Sequence, residues 1–86
     1  MKEEHVNTLD ELRKAISQLD TELVVILNER IKVAKTIGEI KKHYDMPIYV
    51  PEVEKRKIEE LSKLSLYPGL VETIWPVIMC YTRSAE

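Results

Sequence analysis

Two basic residues occupy one face of an otherwise amphipathic stretch, which reads LNERIKVAKTIGEIKK from residue 27 to residue 42. Apolar residues recur seven apart through this region, and Arg30 falls where that row calls for an aliphatic side chain. Lys41 lies eleven residues further on, so in a helix both cations share a face, separated by roughly 16 Å. Cations that far apart cannot pair with one carboxylate, but they can hold opposite ends of a small dianion.

A third cation, Arg13, precedes Arg30 by 17 residues, about 25 Å along a helix and on a different face. It cannot easily serve the same pocket from the same chain, but in a dimer with antiparallel long helices one chain's Arg13 can approach the other's Arg30. Each cation alone has a simpler explanation: Arg30 can pair with an acid such as Glu54, and Lys41 can belong to a solvated helix end. The three together favour an anion site.

Few other residues are candidates for chemistry. Glu54 falls in the first turn of a second helix, where a carboxylate also compensates the helix dipole. Thr82 and Glu86 lie one turn apart near the C-terminus and share a face, although a frayed polar tail explains them equally well. His5 and His43 lack metal-ligand spacing, so we expect no metal site. The sequence also shows no Ser-His-Asp or Cys-His arrangement that would activate a nucleophile.

Three helices, one long and two shorter, account for almost the whole sequence, which predicts an all-α single domain over residues 1–86. Their predicted limits are about 8–43, 51–65 and 68–86. Thr8 and Glu11 suggest a capping box at the start of the first helix. Pro51 suits the first turn of the second.

Composition narrows the classes of protein. Thirteen Lys and Arg against fifteen Asp and Glu give a net charge of −2, which argues against nucleic-acid or membrane-surface binding. No apolar run approaches the ~20 residues of a membrane span, and the N-terminus has no apolar signal region. The single cysteine, Cys80, is expected to be a buried small hydrophobe, and these features favour a cytoplasmic protein.

The length of the first helix predicts a dimer. From Thr8 to His43 it would span roughly 54 Å, whereas a compact globule of this size is about 30 Å across. Its apolar rows would be exposed unless the helix bends near Gly38 or a second copy covers them. We favour the second copy, which gives an intertwined helical homodimer.

Three segments, taken in order and spacing, resemble the all-helical family of chorismate mutases. They are LRKAISQLD around Arg13, LNERIKVAKTIGEIKK with Arg30 and Lys41, and PIYVPEVE with Glu54. The resemblance extends over residues 9–86. It implies an intertwined dimer of three-helix chains that converts chorismate, a small dianion, into prephenate by a Claisen rearrangement without a cofactor.

The resemblance also implies roles for the four central residues. Arg13 would reach into the partner's site to bind one substrate carboxylate, and Arg30 would bind the other. Lys41 would contact a carboxylate and the ether oxygen, while Glu54 would hold the ring hydroxyl.

Two further positions match sites of the family, and two positions differ from its motif. Thr82 falls where the family often has a serine near a carboxylate, and Glu86 falls where it usually has glutamine facing the ether oxygen. Glu86 can donate a hydrogen bond there only when it is protonated. The family motif resembles IYDPERE, with an acid where this chain has Val50 and an arginine where it has Val53, so a helix N-cap and a cation are lost.

Other functions remain open. Two are activities of the same scaffold: removal of pyruvate from isochorismate, and rearrangement of 4-amino-4-deoxychorismate, which lacks the ring hydroxyl and which Val50 mildly favours. The third is a non-catalytic helical subunit that regulates or docks onto another enzyme of the pathway. Retention of Arg13, Arg30, Lys41 and Glu54 together argues against that subunit, because a decayed site has no reason to keep two cations on an apolar face.

Overall fold

A computed structural model describes residues 3–86 of the chain, with side chains from Thr8 onward. This part contains three α-helices and no β-strand. The helices are α1 (Glu3–His43), α2 (Pro51–Leu64) and α3 (Leu70–Ala85). The predicted all-α class, with one long helix and two shorter ones, is therefore confirmed.

Helix α1 begins five residues before the predicted start, because no proline or glycine interrupts the chain ahead of Thr8. The capping box at Thr8 is therefore wrong, since this residue lies inside the helix. The helix continues through Gly38 and ends in a Schellman turn. Asp45 adopts a left-handed backbone (φ 57°), and the Met46 N–H donates to the Lys41 carbonyl across 2.7 Å.

Helix α2 opens at Pro51, as the sequence predicts. Val50 precedes it and makes no capping side-chain hydrogen bond. Helix α2 therefore has no side-chain N-cap, as the sequence predicts. The Val50 carbonyl instead accepts the backbone N–H groups of Val53 at 3.1 Å and Glu54 at 3.3 Å. This fixes Glu54 in the first turn of α2.

Helix α3 begins two residues later than predicted. Gly69 precedes it in a left-handed conformation (φ 81°), which continues the turn and delays the helix to Leu70. Thr73 then donates its hydroxyl to the Gly69 carbonyl across 2.7 Å. At the other end, the Glu86 N–H donates to the Thr82 carbonyl, so the chain stays helically bonded as far as Glu86.

The chain forms two compact units that divide after Arg30. The first consists of the N-terminal part of α1, and seven of its apolar side chains are more than half exposed. These side chains are Leu12, Ile16, Leu19, Leu23, Val24, Val25 and Ile26. Among the described residues of this unit nothing covers these seven side chains, as expected for one helix with no packing neighbour of its own.

The second unit spans Ile31–Glu86 and contains the buried side chains Ala34, Val71 and Met79, each at most 5% exposed. Helix α2 packs against α3 in this unit. The expectation of a buried Cys80 is wrong: its thiol is free and the residue is exposed. It follows the buried Met79 by one residue, which turns it about 100° around α3 and away from the core.

No helix in the described part is both long and apolar enough to span a lipid bilayer.

Candidate active site

The residues predicted to do chemistry divide between the two units. Arg13 and Arg30 belong to the first unit. Lys41, Glu54, Thr82 and Glu86 belong to the second, where three helix ends supply them. They lie in the last turn of α1, the first turn of α2 and the C-terminal turn of α3.

Lys41 and Glu86 form a half-buried ion pair. The Lys41 Nζ lies 2.7 Å from the Glu86 Oε1, and their side chains are 21% and 7% exposed. The same ammonium donates to the Ile48 carbonyl across 3.2 Å. The Schellman turn that ends α1 reverses the chain and brings this carbonyl back to Lys41. Glu86 is therefore held in place and is not a frayed tail.

Gly38 allows this close approach. It is buried one turn before Lys41, and a Cβ at position 38 would lie 2.7 Å from the Glu86 Cα. Real Cβ atoms essentially never approach another carbon that closely, so any larger residue would displace Glu86. The weak helix former in α1 thus has a steric role at the site, and it does not interrupt the helix.

Glu54 pairs with Arg83, a residue that the sequence reasoning missed. The Arg83 Nη1 donates to both oxygens of the Glu54 carboxylate, and the two side chains are 28% and 23% exposed. The guanidinium also stacks on Tyr49, with 4.3 Å from its central carbon to the ring centroid. The sequence does contain an indication of this role, because Arg83 is the single cation of α3 and directly follows Thr82.

The hydrogen bonds that Arg83 donates to the Glu54 carboxylate raise the pKa of Arg83 above its usual value, and burial opposes this rise. Arg83 is therefore cationic at physiological pH. Because Arg83 and Glu86 are three residues apart on one helical face, the Glu54–Arg83 pair is a neighbour of the Lys41–Glu86 pair. The formal charges of these four groups sum to zero.

Thr82 is half-buried, and its hydroxyl donates to the Ile78 carbonyl across 2.8 Å. This is a bond within α3, so the hydroxyl must rotate before it can donate to a bound anion, whereas its lone pairs can accept without rotation.

The two arginines of the first unit have different surroundings. The Arg13 side chain is 69% exposed, and its Nη1 lies 3.9 Å from the Asp10 carboxylate, one turn earlier on α1. Such an exposed pair contributes little, so Arg13 can exchange partners easily. Arg30 is half-buried.

Among the described residues, no three His, Cys, Asp or Glu side chains are grouped as a metal site would require.

The family model described as chorismate mutase type II matches residues 12–86, which is most of the chain. The chain belongs to the chorismate mutase type II family. The match extends from just before Arg13 to Glu86 and so includes every candidate residue.

Two of three similar curated proteins have chorismate mutase in their names. A bifunctional chorismate mutase/prephenate dehydratase of Aquifex aeolicus is 49% identical over 64 residues, which are 72% of this chain and 18% of that protein. The T-protein of Enterobacter agglomerans is 32% identical over 85 residues, 94% of this chain and 23% of that protein. The chorismate mutase of Methanocaldococcus jannaschii is 36% identical over 69 residues, 80% of this chain and 70% of that protein.

The chain thus spans about a fifth of the length of the first two relatives and most of the third. No solved structure matches the chain significantly.

Proposed function

We propose that this chain is a chorismate mutase, which catalyses the Claisen rearrangement of chorismate to prephenate. Beyond family membership, one observation supports this activity: the half-buried pair of Lys41 and Glu86, 2.7 Å apart, which joins a cation to a possible proton donor. Both groups are held by helix ends, so they are positioned before any ligand binds. Preorganised donors of this kind stabilise charge that develops in a transition state.

The rearrangement needs little else from a protein. It is intramolecular, so the main tasks are to hold the flexible substrate in its compact conformer and to stabilise negative charge on the ether oxygen. Lys41 can donate to that oxygen, and Glu86 can donate a second hydrogen bond when it is protonated. Glu54 can accept a hydrogen bond from the ring hydroxyl. No nucleophile, metal or cofactor takes part in these steps.

The charge balance indicates that the site needs further cations. Lys41 and Arg83 are already matched by Glu54 and Glu86, whereas chorismate brings two negative charges. A bound dianion therefore leaves two negative charges unmatched when Glu86 is ionised and one when Glu86 is protonated, and unmatched charge in a half-buried site is costly. We assign the further cations to Arg30 and to Arg13 of the partner subunit, each of which would bind one substrate carboxylate.

This assignment requires a homodimer with intertwined helices. The exposed apolar side chains of the first unit support it, because Leu12, Ile16, Leu19, Leu23 and Ile26 are between 53% and 62% exposed in the single chain. Contiguous apolar surface of this kind usually marks an interface. A second copy offers the same rows and would cover them by antiparallel packing of the long helices.

We also propose that residues 1–86 act together as one chorismate mutase-like domain, and that the protein is cytoplasmic. The free, exposed thiol of Cys80 supports this location, because such a thiol persists most readily in a reducing compartment.

Activity with 4-amino-4-deoxychorismate is a weaker second candidate. Val50 provides no carboxylate near the start of α2, which removes a contact for a ring hydroxyl. Against this candidate, Arg83 already neutralises Glu54, so the pocket suits a neutral hydroxyl better than a charged ammonium group.

The test is an assay of the purified chain with chorismate, isochorismate and 4-amino-4-deoxychorismate in parallel, with products identified by NMR. The mutase proposal expects prephenate from chorismate at the highest kcat/KM. Release of pyruvate from isochorismate would identify the lyase, and a preference for the amino substrate would identify the second candidate. No conversion of any substrate by the folded dimer would favour a non-catalytic subunit.

Two variants test whether the activity comes from this site or from a contaminating enzyme. Lys41→Met should lose the activity, and Lys42→Met, which changes the exposed lysine beside it, should keep it.

A further inference from the structure

Arg83 lies in the candidate site, yet neither its sequence position nor the family resemblance assigns it a role. We propose that Arg83 is a positioning residue, which holds Glu54 and compensates its charge, and that it replaces from α3 the cation absent at Val53 of α2. This inference rests on the proposed mutase function.

The contacts of Arg83 connect three segments of the chain. Its guanidinium donates to both oxygens of Glu54 and stacks on Tyr49 at 4.3 Å. The three residues come from three different segments: the loop before α2, the first turn of α2 and the last turn of α3. Arg83 therefore fixes the Glu54 carboxylate relative to Thr82 and Glu86, its neighbours on α3.

The charge of Arg83 matters because of the substrate. A carboxylate beside a dianion repels it, and this repulsion is strong in a half-buried site where water screens poorly. Arg83 cancels the charge of Glu54 while leaving the carboxylate lone pairs that do not face the guanidinium free to accept a hydrogen bond. Glu54 can then bind a ring hydroxyl without weakening the binding of the substrate carboxylates.

The neighbouring position on α2 explains why this chain requires such a residue. Val53 directly precedes Glu54, is 56% exposed and carries no charge, whereas the family that the chain resembles has an arginine there. Arg83 is the cation that forms an ion pair with the Glu54 carboxylate, so its removal would leave the charge of that carboxylate unbalanced. An arginine at position 53 would return a cation to the first turn of α2, next to Glu54 in the sequence.

The experiment compares three variants with the parent dimer in steady-state kinetics with chorismate. Arg83→Met keeps an unbranched apolar stem and removes the charge, and we expect kcat/KM to fall by about 10–100-fold, mainly through a higher KM. Adding Val53→Arg to this variant should recover at least about ten-fold of the loss. Arg56→Met, which removes an exposed arginine from α2, should stay within about two-fold of the parent.

Salt concentration distinguishes charge compensation from a purely structural role. Because the defect of Arg83→Met is a repulsion between charges, its KM relative to the parent should decrease as salt rises. A variant that merely lost packing would keep the same ratio. If Arg83→Met lowers helical content, Arg83→Lys decides the question: a KM near that of the parent supports charge compensation, and a KM as high as that of Arg83→Met contradicts it.

The outcomes separate the two proposals. A parent protein that does not convert chorismate rejects the mutase function, and the role of Arg83 with it. An active parent whose Arg83→Met variant is equally active, or whose defect Val53→Arg does not relieve, overturns the role of Arg83 alone.

Discussion

The Lys41 ammonium and the Glu86 carboxylate lie 2.7 Å apart, so one half-buried ion pair joins the end of α1 to the residue that follows α3. In this ion pair the Glu86 carboxylate binds the ammonium group that a substrate anion would also need. A bound anion must therefore either share Lys41 with Glu86 or encounter Glu86 in its protonated form. Replacing Glu86 by glutamine tests this competition, because it removes the charge and keeps a hydrogen-bond donor.

We predict that Glu86→Gln keeps at least the parent activity and that Glu86→Leu loses most of it, because an amide can donate to the ether oxygen and an alkyl side chain cannot. The measurement is kcat and kcat/KM with chorismate for both variants. Undiminished activity in Glu86→Leu, or after removal of residues 84–86, would show that Glu86 takes no part in catalysis.

We predict that Arg30→Ala and Lys41→Ala each lower kcat/KM by about 100–1000-fold, as loss of a preorganised charge contact does elsewhere. Helical content should stay close to that of the parent, because both substitutions favour a helix. Circular dichroism and steady-state kinetics measure the two effects, and Lys42→Ala is the matched control on the same helix. If Arg30→Ala unfolds the protein with no separate catalytic loss, Arg30 is a structural residue.

We predict that two inactive variants restore activity when mixed. In a dimer of Arg13→Ala and Lys41→Ala chains, both defects fall in one site and the other site is intact. Random exchange of subunits should therefore recover about a quarter of the parent activity. A mixture of Arg30→Ala and Lys41→Ala chains is the control: each mixed dimer has one defect in each site, so it should recover nothing. Recovery in both mixtures, or in neither, would contradict the shared site.

We predict that the protein sediments at twice the 10.1 kDa of one chain at micromolar concentration. Leu19→Glu places a charge on the exposed apolar row of the first unit and should dissociate the dimer, because a buried unpaired charge is costly. Ser17→Glu changes an exposed polar position nearby and should leave the mass unchanged. A parent protein with the mass of one chain would reject both the dimer and the role of Arg13 across it.

The sequence alone predicted the number and order of the three helices. Periodicity and Pro51 predicted α2 to within one residue of its end. The pairing of Lys41 with Glu86 depends on the turn after α1, and the apolar pattern carries no information about that turn. Arg83 was missed for a related reason: its partner Glu54 lies 29 residues away, and only the packing of α2 on α3 brings them together.

Two errors came from reading local signals without their context. Thr8 and Glu11 have the spacing of a capping box, but a cap forms only where the preceding chain leaves the helix, and here it does not. Cys80 lies in an apolar stretch, yet one residue of helix rotation separates it from the buried Met79.

Gly38 provides the sharpest test of how the fold positions the site. In an ordinary helix, Gly→Ala raises stability by roughly 1 kcal/mol. Here the new Cβ would lie 2.7 Å from the Glu86 Cα, so we expect Gly38→Ala to lower the free energy of unfolding by about 1–3 kcal/mol and to displace Glu86 from Lys41. Activity should fall with it. Thr36→Ala, at an exposed position of the same helix, is the control and should be neutral or slightly stabilising. Chemical denaturation and steady-state kinetics with chorismate measure the two effects. A Gly38→Ala protein that is more stable and fully active would show that Glu86 does not need this close approach.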